Sequence, residues 1–110
     1  MQPPVKLAVS GAGITYAPAA SSIVQLDAVL VVPDNSATPV ALNVSLYASA
    51  TPPQGGVLPS DVSLLGTFTS SAGQGSYMVL LAPDGIGFGG YLIAQFTDTG
   101  AAHALLCYMK

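Results

Sequence analysis

The chain has 110 residues, the usual size of one domain, and its 51% hydrophobic content excludes a chain kept disordered by polarity and charge. Only 6% of the residues are charged, and two Lys against five Asp give a formal net charge of −3. Because so few cations cannot neutralise a row of phosphates, we expect neither nucleic acid nor an anionic membrane surface as a partner.

Cysteine usage and the amino end narrow the class of protein further. Cys107 is the one cysteine, so no disulfide can form within the chain. No apolar run reaches the roughly 18 residues that a membrane span needs. The start, Met1-Gln2-Pro3-Pro4-Val5-Lys6, lacks the basic region and apolar stretch of a secretory signal. We therefore expect either a complete protein made in the cytoplasm or a module of a longer secreted protein.

Hydrophobic residues recur with period two between clusters of Gly, Pro, Asn and Asp, a pattern typical of antiparallel strands joined by turns. The first predicted strand runs from Val5 to Ser10, and a short edge piece covers Ile14 to Tyr16. The second strand runs from Ile23 to Val32 and the third from Val40 to Ala48. Between these two, Pro33-Asp34-Asn35-Ser36 has the composition of a turn.

Further strands are predicted after a long polar loop at residues 49–60. They are Val62 to Thr69, Ser76 to Ala82, Tyr91 to Thr97 and Ala101 to Met109. The glycine-rich segment 83–90 is predicted as a loop, and Asp98-Thr99-Gly100 as a hairpin turn. Because strands with one buried face need a second sheet to pack against, we predict one all-β domain over residues 1–110, a seven-stranded antiparallel β-sandwich.

The stretch from Thr38 to Ala104, about two thirds of the chain, resembles the bacterial immunoglobulin-like domains of surface and phage structural proteins. The resembling pieces are Pro39 to Tyr47, Leu65-Gly66-Thr67, Gly75-Ser76-Tyr77, and Gly90-Tyr91 with Phe96-Thr97-Asp98 and Gly100. The chain departs from that pattern in its longer loop around Pro52 to Ser60 and in its more apolar last strand. The resemblance implies an immunoglobulin-like sandwich that serves as a spacer, adhesive or decorating module, and it names no ligand.

Nucleophilic catalysis is not expected. His103 and Cys107 are the one His and the one Cys, and on a strand rising ~3.3 Å per residue they stand about 13 Å apart, beyond hydrogen-bond reach. No Gly-x-Ser-x-Gly elbow offers a Ser to His103. We predict no catalytic residue, with His103 a side chain near the sheet rim and Cys107 a small buried hydrophobe.

Metal and cofactor binding are not expected either. One His and one Cys do not make a zinc site. The turn aspartates are predicted to form two pairs at opposite ends of the sandwich, Asp34 with Asp98 and Asp61 with Asp84. Neither pair has the Asp-x-Asp spacing of a calcium loop. The glycine-rich segment 84–90 leads into a strand, whereas a phosphate-binding loop leads into a helix. We predict no metal ligand and no cofactor.

Five apolar or aromatic residues are predicted contacts with a partner: Tyr16, Tyr47, Phe88, Leu106 and Tyr108. Tyr16 and Tyr47 are suited to stack on sugars or to contact a neighbouring protein. Phe88, in the glycine-rich segment, either caps the core or contacts a partner. The last strand is apolar on both faces, so either the amino-terminal segment or another subunit is expected to cover the side that carries Leu106 and Tyr108.

These observations favour a non-catalytic structural or interaction module. A surface so poor in charge favours packing in an assembly, and the leading interpretation is a phage virion component, a head decoration or tail accessory protein bound to capsid or tail subunits. One alternative is an immunoglobulin-like spacer or adhesion module of a bacterial surface or secreted protein, next to neighbouring domains. The other alternative is a carbohydrate-binding accessory domain that recognises glycans.

Overall fold

A computed structural model describes residues 4–81 and 85–109, with side chains described except at residues 18–24. Its strands are β1 (Val5–Leu7), β2 (Gly13–Val32), β3 (Leu42–Ser49), β4 (Ser63–Ser70), β5 (Tyr77–Leu80), β6 (Ile86–Phe96) and β7 (Ala104–Met109). All their pairings are antiparallel, and the described residues contain no helix. The predicted all-β, antiparallel class is therefore confirmed. Within these residues there is accordingly no helix able to cross a membrane.

The strands form one hydrogen-bonded network in the order β1-β7-β2-β6-β3-β4, with β5 also paired to β2. The two parts of β2 pair with different strands. Residues 13–26 pair with β6, whereas residues 26–32 pair with β7 on one side and residues 28–31 pair with β5 on the other. We call the group β1, β7, residues 26–32 and β5 the β7 half. We call the group of residues 13–26, β6, β3 and β4 the β3 half.

The long β2 strand changes the strand count. The sequence predicts seven strands with Ile14 to Tyr16 as a separate edge piece, but that piece runs into the next strand without a break. Counting the two parts of β2 separately, the described chain has eight strand segments. Pro18 lies in the register shift between Ala17 and Ala20, a place where a residue without an N–H is tolerated. This is why the Pro does not end the strand.

Both halves contribute to one hydrophobic core. Val29, Leu105 and Cys107 of the β7 half lie in the same buried cluster as Leu46 and Phe96 of the β3 half. The shortest dimension of the molecule is 20 Å, room for two sheet layers packed about 10 Å apart. The fold is therefore compatible with the predicted sandwich.

Most of the glycine-rich segment forms a strand in the structure. Residues 86–90 belong to β6, so the loop predicted over residues 83–90 is wrong for these five residues. Strand β6 begins at Ile86, and Phe88 pairs with Val24 of β2. Gly90 has a φ of 83°, and a Cβ at this position would run into the carbonyl oxygen of Ser49. Glycine is thus needed here because another backbone approaches closely, not because the chain turns.

The predicted hairpin at Asp98-Thr99-Gly100 is also wrong. Strand β6 pairs with β2 and β3, whereas β7 pairs with β1 and β2, so the strands on either side of this turn are not hydrogen-bonded neighbours. The connection leads from the β3 half to the β7 half. Turn composition indicates a reversal of the chain but does not specify which strands lie side by side.

Candidate functional site

The loop from β2 to β3 is held at one end of the molecule by a buried carboxylate. Asp34, 2% exposed, accepts hydrogen bonds from the backbone N–H groups of Ser36 at 3.1 Å, Val40 at 3.0 Å and Ala102 at 3.3 Å. Burial alone would raise the pKa of the Asp34 carboxyl, but these hydrogen bonds outweigh it and hold the pKa below its ordinary value of 3.8. Asp34 therefore ties the segment before β7 to this loop.

A second carboxylate lies beside the first. Asp98 accepts hydrogen bonds from the backbone N–H groups of Asn43 at 3.1 Å and Gly100 at 3.0 Å. A Cβ built on Gly100 would lie 2.7 Å from Asp98 Oδ2 and 3.0 Å from Asp34 Cβ. Asp34 and Asp98 thus lie at the same end, as predicted. Asp61 accepts hydrogen bonds from residues 50 and 51 in another loop, and Asp84 lies outside the described residues.

His103 is a partner of Asp98. The Nδ1–H of His103 donates to Asp98 Oδ2 at 2.6 Å, and the imidazole stacks on Phe96 with ring centroids 4.2 Å apart. The His103 side chain is fully buried. His103 therefore lies just before β7, at the end of the molecule that carries Asp34 and Asp98, but its side chain is buried and has a carboxylate partner.

The chemistry open to this pair is limited by burial. An Asp that holds a His in place is the arrangement that orients a general base. Here, however, Nε2 of His103 is buried and has no hydrogen-bond partner among the described residues. Cys107 is also buried, as predicted, and burial raises the pKa of its thiol to about 12. In the described part of the chain, no three His, Cys, Asp or Glu side chains group together as metal ligands would.

The outer side of the β7 half carries a continuous apolar surface. The register places Leu106 opposite Leu30, Leu30 opposite Met78, and both Tyr108 and Leu80 opposite Ala28. Leu80 is 76% exposed, Met78 is 46% exposed, and the other large residues are half-buried. We call this surface the β7 face and define it by five residues: Leu30, Met78, Leu80, Leu106 and Tyr108.

The last strand shows the two apolar sides that were predicted for it. Leu105 and Cys107 are fully buried in the core, whereas Leu106 and Tyr108 point to the opposite side and stay partly exposed. The described amino-terminal residues extend the sheet, because β1 pairs with β7 along its edge instead of lying across the β7 face. A hollow of about 600 Å³ at one end of this face is lined by residues that include Lys6 and Leu106.

A different surface occupies the outer side of the β3 half. Tyr16 of β2 and Tyr47 of β3 both lie opposite Ile93 of the intervening β6. The ring of Tyr91 meets that of Tyr16 edge to face, with centroids 5.7 Å apart and planes at 70°. Ile93 is fully buried, but it does not belong to the core cluster, which includes its chain neighbours Leu92 and Ala94. We call Tyr16, Tyr47, Tyr91 and Ile93 the tyrosine face.

The five predicted contact residues are thus separated by the fold. Tyr16 and Tyr47 share the tyrosine face, and Leu106 and Tyr108 share the β7 face. Phe88 is 7% exposed and belongs to the core cluster. Of the two roles that the sequence leaves open for it, capping the core or contacting a partner, the structure shows the first. Sequence reasoning did not select Leu30, Met78, Leu80 or Tyr91. Period-two alternation places each of them on one side of its own strand, but only the register shows which strands lie next to each other.

Comparisons with known proteins returned no match, whether the chain was scanned against family models, searched against curated proteins or compared with solved structures. The resemblance to bacterial immunoglobulin-like domains therefore stays a prediction.

Proposed function

We propose that this protein is a non-catalytic interaction module that docks through its β7 face onto an uncharged, apolar protein surface in a larger assembly. The observation that carries the proposal is the β7 face itself, five large apolar side chains from three neighbouring strand segments on the solvent side of the sheet. Monomeric soluble proteins rarely expose large contiguous apolar patches, and such patches mark interaction sites. On this face Met78 and Leu80 stay exposed, and Leu30, Leu106 and Tyr108 stay partly exposed.

The charges around the β7 face support a protein partner. Lys6 lies opposite Leu106 at the margin, and the five defining residues are uncharged. Aromatic residues and Met are enriched at the centres of protein interfaces, and charged residues are depleted there. Tyr108 and Met78 match this composition. An anionic or cationic ligand would find no opposite charge within the face.

The non-catalytic part of the proposal is supported by the buried end. A general base must reach the proton that it removes, and the His103 side chain has no exposed surface. Its partner Asp98 also accepts hydrogen bonds from Asn43 and Gly100, as a residue that joins loops does. We assign this cluster to stability.

The proposed setting is a phage virion, where the protein would act as a head decoration or tail accessory protein on capsid or tail subunits. The low charge of the chain and the apolar β7 face support an assembly. A spacer or adhesion module of a bacterial surface protein is the alternative setting. Copurification with virus particles would favour the first, and a parent reading frame with a secretory signal and tandem copies would favour the second.

The test of docking is light scattering over a wide concentration range, with wild type compared with Leu106→Asp and Tyr108→Ser. We expect the mean mass of the wild type to rise with concentration and that of Leu106→Asp and Tyr108→Ser to rise less, because a polar or charged group opposes burial of the face. Thr67→Asp, on β4 in the β3 half, is the matched control and should associate like the wild type. A Leu106→Asp protein that associates as strongly as the wild type would contradict docking through the β7 face.

The tyrosine face favours a second candidate function, recognition of an uncharged glycan. Sugars stack on aromatic rings through their C–H faces, and the nearby Ser45, Thr67 and Gln95 offer hydroxyl and amide groups for sugar hydroxyls. Tyr16→Ala and Tyr47→Ala should each abolish binding to a glycan array, whereas Tyr108→Ala, in the β7 half, should not. Binding that survives both Tyr16→Ala and Tyr47→Ala, or no glycan binding by the wild type, would remove this candidate.

A further inference from the structure

We propose that β5 is the edge through which two copies of the chain pair, antiparallel and about a two-fold axis, so that their β7 halves form one continuous sheet. This inference goes beyond the proposed docking function, because the two copies meet at the sheet edge and their β7 faces stay open to another partner. Backbone hydrogen bonds join the two copies, in the way that an extended strand is added to an open sheet edge.

The register shows which backbone groups of β5 face the open side. The N–H of Leu81 donates to the carbonyl of Asp27 at 3.0 Å, and Leu80 lies opposite Ala28. In an antiparallel pair the residues alternate between those that exchange hydrogen bonds with the partner strand and those that do not. The N–H and C=O groups of Val79 therefore point to β2, and those of Met78 and Leu80 point away from it.

The side chains of the same two residues are the exposed ones. Met78 and Leu80 are 46% and 76% exposed, whereas Tyr77 and Val79 pack against the core. In the described part of the chain, β5 pairs with β2 alone. Unpaired backbone groups and exposed apolar side chains thus coincide at two positions of one edge.

The other two edges carry features that oppose pairing. Strand β1 follows Pro4 and contains Lys6, and both a Pro and a Lys block addition of a further strand. Strand β4 has a register shift next to Gly66 that distorts its ladder. Strand β5, Tyr77-Met78-Val79-Leu80, has no Pro, no charge and no register shift. Of the three edges that residues 4–81 and 85–109 form, it is the one that is open to another strand.

A second copy fits this edge because the edge is complementary to itself. With a two-fold axis at Val79, Met78 of one copy lies opposite Leu80 of the other, and the outward N–H and C=O groups of these residues bond each other. Their side chains meet on the outer side of the joined sheet and make the β7 faces of the two copies continuous. Because β5 has no charge, no like charges meet across the axis.

The experiment compares Leu80→Pro with Leu80→Val in sedimentation velocity over a concentration series, beside Leu106→Ser. Pro removes the outward N–H of residue 80 without removing a bond to β2, and edge positions tolerate it. Val keeps the N–H and shortens the side chain. We expect Leu80→Pro to lower the dimer association constant at least tenfold, and Leu80→Val and Leu106→Ser to lower it less than threefold.

Amide hydrogen exchange of the wild type by NMR keeps the inference testable if Leu80→Pro does not fold. Exchange at Met78 and Leu80 should slow as the concentration rises, whereas exchange at Val79 should not change. Concentration-independent exchange at both residues would overturn edge pairing, as would a Leu80→Pro protein that dimerises like the wild type. If Leu106→Ser abolishes association while Leu80→Pro does not, docking through the β7 face stands and pairing through β5 fails.

Discussion

His103 donates a hydrogen bond of 2.6 Å from Nδ1 to Oδ2 of Asp98, five residues earlier, in the connection that leads from β6 to β7. Because Asp98 also binds the backbone of Asn43, this bond links the start of β7 to the start of β3. The two strands belong to different halves of the sheet. The pair therefore secures a long-range connection at one end of the fold.

Asp98→Ala should destabilise the protein by about 1–3 kcal/mol, because it leaves the buried Nδ1 of His103 and two backbone N–H groups without their acceptor. Urea unfolding monitored by circular dichroism measures the change. Asp61→Ala, in an exposed loop, is the control and should change the free energy of unfolding by less than about 1 kcal/mol. Equal effects of the two substitutions would show that the burial of the His103–Asp98 pair contributes no stability.

Gly90→Ala should destabilise the protein by about 2 kcal/mol or more, because residue 90 has a positive φ and its Cβ would collide with the backbone of Ser49. Gly75→Ala is the matched control, since a Cβ there meets nothing within 4 Å. The control should be neutral or stabilise by up to about 1 kcal/mol. Thermal unfolding of both variants checks the contrast, and a neutral Gly90→Ala would mean that β3 and β6 do not approach as closely as the structure shows.

Acid should weaken the fold through Asp34. The folded pKa of this carboxyl lies below its ordinary value of 3.8, so ionised Asp34 stabilises the protein above that pH, and the stabilisation is lost as the pH falls through the folded pKa. Asp34→Asn should lower the free energy of unfolding at neutral pH and flatten its decline below pH ~4. Urea unfolding at a series of pH values from neutral to acidic measures this. A decline as steep in Asp34→Asn as in the wild type would contradict it.

Cys107 should be unreactive in the folded protein. Burial raises the pKa of its thiol to about 12, and the thiolate is the reactive form. Iodoacetamide at pH 8 should label the native protein more slowly than the urea-unfolded protein by at least a hundredfold. Labelling at similar rates in the two states would mean that the last strand opens readily or that Cys107 is accessible.

The strand positions could be predicted well where a strand has one buried side. Alternation of apolar and polar residues predicts a strand over Val40 to Ala48, and β3 spans Leu42–Ser49 with Leu42, Val44 and Leu46 buried. The two apolar sides of the last strand were predicted for the same reason. In both cases the sequence of a single strand is enough to predict which residues are buried, because side chains in a strand alternate between its two sides.

The buried end could not be predicted in the same way. The local pattern predicts Asp98 to be a turn residue and His103 to be a residue near the sheet rim, and it gives no sign that they contact each other. Their hydrogen bond depends on Gly100, which has no side chain to separate them, and on the packing of His103 against Phe96. A local sequence pattern cannot predict this contact, because it depends on how Phe96, Gly100 and His103 pack together in the fold.

Sequence alone determined that this protein is built of antiparallel strands with few charges, and which side of most strands is apolar. Only the tertiary structure decided that β2 serves both halves, that β6 and β7 are not neighbours, and that Leu30, Met78 and Leu106 lie side by side. The reason is that alternation is a property of one strand, whereas the register and order of strands are set by how all of them bury their apolar sides together.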